Sequence, residues 1–331
     1  MAGGPGRAGG AGRPGTAKSR RPARTHLQVT PMSSIQERVA AARHRLREAG
    51  IPSDEADLDA RLLAQRALGW DAARLLTRAN EQEPAGFLDE YGTLVTRRAA
   101  REPMAYVLGR QEFWGLEFEV SAAVLIPRPE TELIVDAALE TFADPIATID
   151  IADIGTGSGC LAVTLAHERP NARVVASDVS GAALGVAQRN AARHGVSSRV
   201  QFLEADLLGG TAQPFDLIVS NPPYVPERDR ATLQPEVRDY EPPAALFAGD
   251  DGLSVIRRLV DEAAPRLKPK GFVIFEFGFG QADAVRTLVA RALDLSLLEV
   301  RNDLQGIPRV AIARRSSQST VQLTGLSTVN C

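Results

Sequence analysis

Cysteine is nearly absent from the 331-residue chain: Cys160 and Cys331 are the only two. Two such distant residues make neither a disulfide framework nor a metal-ligand spacing, so both read as free thiols and no metal is expected. Lysine is almost as scarce, limited to Lys18, Lys268 and Lys270. With abundant Arg, Ala and Gly, that bias marks GC-rich coding rather than a function. A net charge of −3 leaves no basic surplus with which to wrap phosphates, so direct nucleic-acid binding is not expected. Long apolar runs are also missing. None approaches the roughly 18 to 20 residues of a membrane span, and no signal-type apolar core follows Met1, so a cytoplasmic protein without membrane contact is expected.

What is present, 44% hydrophobic and 24% charged residues, suffices for a sizeable core. Residues 1–32 carry six basic and no acidic side chains among many Gly and Pro, which predicts a disordered extension, and Met32 reads as an alternative start. Over 33–104 the spacing turns helical: Ile35, Val39, Ala42 and Leu46 form one apolar side, which Gly50-Ile51-Pro52 ends. Ser53 is expected to cap a second helix carrying Ala56, Leu58, Leu62, Leu63 and Ala67. Further helices are expected near 71–79 and over 87–101, with Leu88, Tyr91, Leu94 and Val95 inward. Composition leaves open whether this domain is a scaffold or recognises a macromolecular substrate.

Residues 105–125 read as extended, Tyr106-Val107-Leu108 included, with Phe113 to Val120 alternating as a β-hairpin linker would. From 126 to 314, strand-like runs at 148–154, 172–177, 200–204, 215–220, 271–277, 296–300 and 309–313 alternate with helical stretches. That order predicts an α/β domain with a mostly parallel, seven-stranded sheet covered on both faces, and ligands at the carboxyl ends of its strands. The Ser- and Thr-rich tail, 315–331, is expected to be disordered.

The first of those runs leads into Gly155-Thr156-Gly157-Ser158-Gly159, with a helix expected from about Cys160. Backbone lacking Cβ atoms approaches a ligand closely at a helix N-terminus. Asp153 precedes the loop, and Asp178 closes the next strand at a spacing that suits ribose hydroxyls. Asp206 and Leu207 close the third, one an acceptor for an adenine amino group, the other an apolar surface for the ring. Strand-end Asp residues are often mere caps; their succession is what points to adenosine. A nicotinamide dinucleotide fits poorly, because its third glycine would fall at Cys160.

A fourth run, Phe215 to Ser220, ends in Asn221-Pro222-Pro223-Tyr224. The prolines fix φ and remove two N–H donors, leaving a rigid, acceptor-rich corner. There the Asn221 oxygen and the Pro222 carbonyl can each accept one hydrogen of a planar –NH2 group while the Tyr224 ring covers its face. Holding both hydrogens turns the nitrogen lone pair out of conjugation and toward an electrophile, which is catalysis by orientation. An isolated Pro-Pro pair would be no more than a stiff turn; a nucleoside site in the same sheet favours the functional reading.

These residues resemble the class I S-adenosylmethionine-dependent methyltransferases and, more narrowly, the HemK-type release factor glutamine methyltransferases. The likeness spans residues 33–314 and is carried by 126–132 (Ile-Pro-Arg-Pro-Glu-Thr-Glu), 153–159, 221–225, and Asp303, Gly306 and Arg309. The glycine loop is common to many methyltransferases, and Arg-Pro-Glu-Thr-Glu is the narrower mark. The resemblance implies a Rossmann-like sheet and an S-adenosylmethionine site at Gly155 to Gly159, Asp178, Asp206, Leu207 and Asn221. It also implies that Asn221, Pro222, Pro223 and Tyr224 hold the acceptor, the glutamine of the Gly-Gly-Gln loop of class 1 peptide chain release factors, and that the helical domain docks that factor. Asn221, Pro222 and Tyr224 would be catalytic. The alternatives are glutamine methylation of a ribosomal protein, whose enzymes lack Pro-Glu-Thr-Glu, and adenine-N6 methylation of nucleic acid, which calls for a basic recognition domain.

Overall fold

A computed structural model describes residues 33–211, 213–292 and 294–316, with residues 1, 3 and 4. Most of the expected extension, Lys18 and Met32 included, and the tail beyond Ser316, including Cys331, lie outside the described residues.

The helical domain comprises α1 (Ile35–Glu48), α2 (Ser53–Leu68), α3 (Ala72–Arg78), α4 (Phe87–Ala99) and α5 (Met104–Leu108). Ser34 and Glu37 form a capping box that starts α1, each side chain accepting from the other's backbone N–H. Ile35, Val39, Ala42 and Leu46 pack, as their spacing predicts, against Ala56, Leu63, Leu94 and Val95. Three expectations fail locally. Ser53 is the first helical residue of α2, Pro52 stands at the cap, and no side chain caps it. Leu58 and Leu88 are exposed, because α2 turns Asp59 inward to meet the buried Arg98 and α4 turns Phe87 inward beside Tyr91. Tyr106-Val107-Leu108 is helical, since Pro103 starts a single turn that Gly109, at φ +74°, ends.

The hairpin of β1 (Arg110–Phe113) and β2 (Leu116–Glu119) links the helical domain to the sheet and buries Phe113 and Phe118 against the core on one face of it. There α6 (Glu132–Thr141), β3 (Asp150–Ile154), α7 (Cys160–Glu168), β4 (Arg173–Asp178), α8 (Gly181–Arg193), β5 (Val200–Glu204) and β6 (Phe215–Ser220) follow in turn. After β6 come two short helices the sequence pattern did not foretell, α9 (Pro235–Tyr240) and α10 (Pro243–Leu246). The chain ends with α11 (Ser254–Arg266), β7 (Leu267–Glu276), α12 (Ala282–Arg291), β8 (Leu295–Asn302) and β9 (Pro308–Arg315).

The seven strands lie in the order β5-β4-β3-β6-β7-β9-β8, with β9 antiparallel to both its neighbours. Central strands are buried on both faces, so Ile151 joins one core with α6 and α7, while its neighbour Ala152 joins another with α11 and α12. No helix among the described residues is long and apolar enough to cross a membrane.

Candidate functional site

Strands β3, β4, β5 and β6 all open at their carboxyl ends onto one cavity of about 280 Å³. Order reverses between β3 and β6, where crossovers leave in opposite directions and a crevice forms. The glycine loop forms one wall. Gly155, Gly157 and Gly159 have φ of +71°, +55° and +82°, conformations that side chains resist. Gly155 and Thr156 donate backbone N–H groups to the Ser177 carbonyl at 2.9 Å, tying the loop to β4.

Asp178 lines the cavity, and its two oxygens accept from the Gly157 and Ser180 backbones at 2.9 Å each, which fixes the carboxylate's aim. Asp206 and Leu207 line it as well; Asp206 accepts from Arg258 at 2.8 Å, and the Leu207 carbonyl accepts from Ser177. Beneath the loop, Asp153 accepts from the Thr156 hydroxyl at 2.6 Å and the Ala162 N–H at 3.0 Å through one oxygen; its other oxygen has no partner. Burial, with Asp178 adding, pushes the Asp153 carboxyl up to about 7. Cys160 is a free thiol that burial pushes up to about 12, which makes it a poor nucleophile.

Opposite stand Asn221, Pro222 and Pro223, facing Pro127, Thr131 and the Pro242–Ala245 segment. Asn221 donates from Nδ2 to the Thr131 hydroxyl at 2.9 Å, and Thr131 donates in turn to Glu276 at 2.7 Å. Tyr224 donates to the other Glu276 oxygen at 2.9 Å. Among the described residues nothing donates to the Asn221 oxygen or the Pro222 carbonyl. Both acceptors are thus available.

The structure gathers Gly155, Thr156, Gly157, Ser158, Asp178, Asp206, Leu207, Asn221, Pro222 and Pro223 around the cavity. Two expected residues stand outside its lining. Gly159 faces α8, where an added Cβ would lie 3.0 Å from Ala187, so it serves close packing of loop and helix. Tyr224 does not cover the cavity; burial and its bond to Glu276 hold its hydroxyl inward and raise its pKa.

Sequence reasoning missed Glu276, Glu241 and the bridging role of Thr131. Glu276 offered one signal, a lone acid closing the apolar run of β7. Glu241, 3% exposed, accepts from the Ile126 N–H at 3.2 Å and from Arg128, so it secures the Ile-Pro-Arg stretch against the loop after β6.

The sheet order, the glycine loop and the proline corner define a Rossmann-like class I methyltransferase domain. Family models agree: "PrmC N-terminal domain" matches residues 37–109 and "Methyltransferase small domain" residues 132–235. Among solved structures, the hMettl16 catalytic domain superposes with a TM-score of 0.50 at 16% identity, over 69% of this chain and 83% of that one, a likeness of fold alone. Curated relatives are far nearer in sequence. The release factor glutamine methyltransferase of Bradyrhizobium diazoefficiens is 44% identical over 82% of this chain and 91% of its own. That of Koribacter versatilis is 40% identical over 85% and 99%. The chain belongs to the release factor glutamine methyltransferase family.

Proposed function

We propose that the chain transfers a methyl group from S-adenosylmethionine to the side-chain amide nitrogen of the glutamine in the Gly-Gly-Gln loop of class 1 peptide chain release factors. One observation carries the reading: Asn221 has its –NH2 tied back to Thr131, so its oxygen is left for the cavity that the glycine loop and Asp178 also line. The donor fits the residues present. Gly155 and Gly157 leave backbone where side chains would intrude, Asp178 is aimed for ribose hydroxyls, Asp206 and Leu207 suit an adenine, and the unpartnered Asp153 and Ser158 oxygens give the wall buried acceptors. When bound, the donor supplies an electrophilic methyl on a sulfonium.

The protein's contribution is orientation. A glutamine amide nitrogen is a poor nucleophile because its lone pair is delocalised into the carbonyl. The Asn221 oxygen and the Pro222 carbonyl each accept a hydrogen bond from one amide N–H, which directs that lone pair across the cavity toward the methyl carbon. As the nitrogen–carbon bond forms the carbon–sulfur bond breaks, its electron pair staying on the now neutral sulfur, and one amide hydrogen is lost as a proton to water. Tyr224 acts from behind, through Glu276. The helical domain, through its contacts with the loop after β6, is the docking surface for the release factor.

Mass spectrometry of a purified release factor after incubation with the protein and labelled donor tests the assignment: one methyl on the Gly-Gly-Gln glutamine is expected, and none would refute it. Asn221→Ala should bind donor nearly normally yet methylate at least about a hundredfold more slowly, roughly 2.7 kcal/mol at the transition state. A single-turnover rate within about threefold of wild type would remove the amide grip.

A further inference from the structure

The direction in which Asn221 faces is decided by two residues behind it. Thr131 and Glu276 are each 1% exposed, so water does not substitute for either partner. Register brings them together: β6 and β7 pair Ser220 with Phe275, so Asn221 and Glu276 leave the sheet side by side, and the turn Pro129–Thr131 inserts the Thr131 hydroxyl between them.

A hydroxyl has one hydrogen, and an ionised carboxylate only accepts. While Glu276 is ionised, the Thr131 hydrogen is committed to it at 2.7 Å, and only oxygen lone pairs are left to face Asn221. The –NH2 end of Asn221 is the one end that can meet them, and it does so at 2.9 Å. The oxygen end must then face the cavity. A proton on Glu276 reverses the relay: the carboxyl donates to Thr131, Thr131 donates to the Asn221 oxygen, and the amide presents –NH2 to an incoming –NH2. Two sets of donors then face each other.

We propose that Thr131 and Glu276 are positioning residues that hold Asn221 with its oxygen toward the acceptor amide, and that protonation of Glu276 turns it the wrong way. The inference rests on the reading that the Asn221 oxygen grips the acceptor. Around Glu276 stand Thr131 and Glu130 from the turn before α6, Tyr224 from the proline corner after β6, and Arg309 on β9. Burial raises the carboxyl above its ordinary range and Glu130 adds to this, whereas the two hydroxyl donors and Arg309 act against it.

The test compares Thr131→Val, Thr131→Ser and Glu276→Gln with Asn221→Ala by single-turnover methylation of a release factor at saturating donor, with donor affinity measured by calorimetry. Thr131→Val and Glu276→Gln should slow methylation at least about thirtyfold with donor affinity within about threefold of wild type, and Thr131→Ser, which keeps the hydroxyl, should stay within about threefold. The wild-type rate should fall at acid pH, and Thr131→Val should lose that limb. Should Glu276→Gln not fold, the Val and Ser pair decides alone. A Thr131→Val rate within about threefold of wild type, beside a crippled Asn221→Ala, overturns the relay and leaves the amide grip standing; a near-normal Asn221→Ala overturns both.

Discussion

The carboxyl of Asp153 is 1% exposed, engages two donors through one oxygen and leaves the other unpartnered. Its folded pKa of about 7 lies above the ordinary 3.8 of an aspartic acid in an unfolded chain, so between those values the folded protein holds a proton that the unfolded chain has lost. The stabilisation is complete below the lower value and disappears as pH rises through the upper one. Stability of the ligand-free protein should therefore fall by about 1 kcal/mol from about pH 6 to about pH 8 on this account, and Asp153→Asn should flatten that slope in urea unfolding. Asp178 is half-buried and already oriented by two backbone N–H groups. Asp178→Ala should weaken donor binding at least about tenfold, near 1.4 kcal/mol, with the fold retained; unchanged calorimetric affinity would remove it from the site. Both residues were legible in the sequence because each closes an apolar run next to a turn. Glu276 was not, since its importance lies in two partners contributed by other segments, Thr131 and Tyr224.

Among the elements, α9 belongs to two regions at once. Its Glu236 accepts from Arg98 at 2.9 Å and Arg101 at 2.7 Å in the helical domain, and Tyr240 donates to the Ala100 carbonyl at 2.6 Å. A few residues on, Glu241 grips Arg128, and Pro242, Ala244 and Ala245 line the cavity. The helical domain thus holds the cavity's roof in place. Glu236→Ala leaves the buried Arg98 with Asp59 as its close partner, which should cost about 2 kcal/mol in urea unfolding and weaken donor binding a few-fold. A stability change below about 0.5 kcal/mol would show that the clamp carries no strain-bearing role. Long, periodic elements such as α1 and β6 could be read from their spacing. Short ones could not: α5, α9 and α10 have five, six and four residues, too few for a period to show, and prolines start each of them.

For the whole molecule, the alternation of strands and helices sufficed to foresee a mostly parallel sheet, because each central strand must be apolar on both faces. Strand order could not be read, as crossover lengths do not reveal which edge a strand joins. Yet that order makes β6 and β7 neighbours, with residues paired one to one over their last four rungs. The separation of Asn221 from Glu276 is consequently a property of the ladder and not of the chain that runs between them. Connections such as the exposed stretch at Ala231 and Thr232 can lengthen or shorten without detuning the chemistry. A single residue gained or lost inside either strand would instead turn one partner to the opposite face. Drift in length is therefore open to the loops of this enzyme and closed to two of its strands.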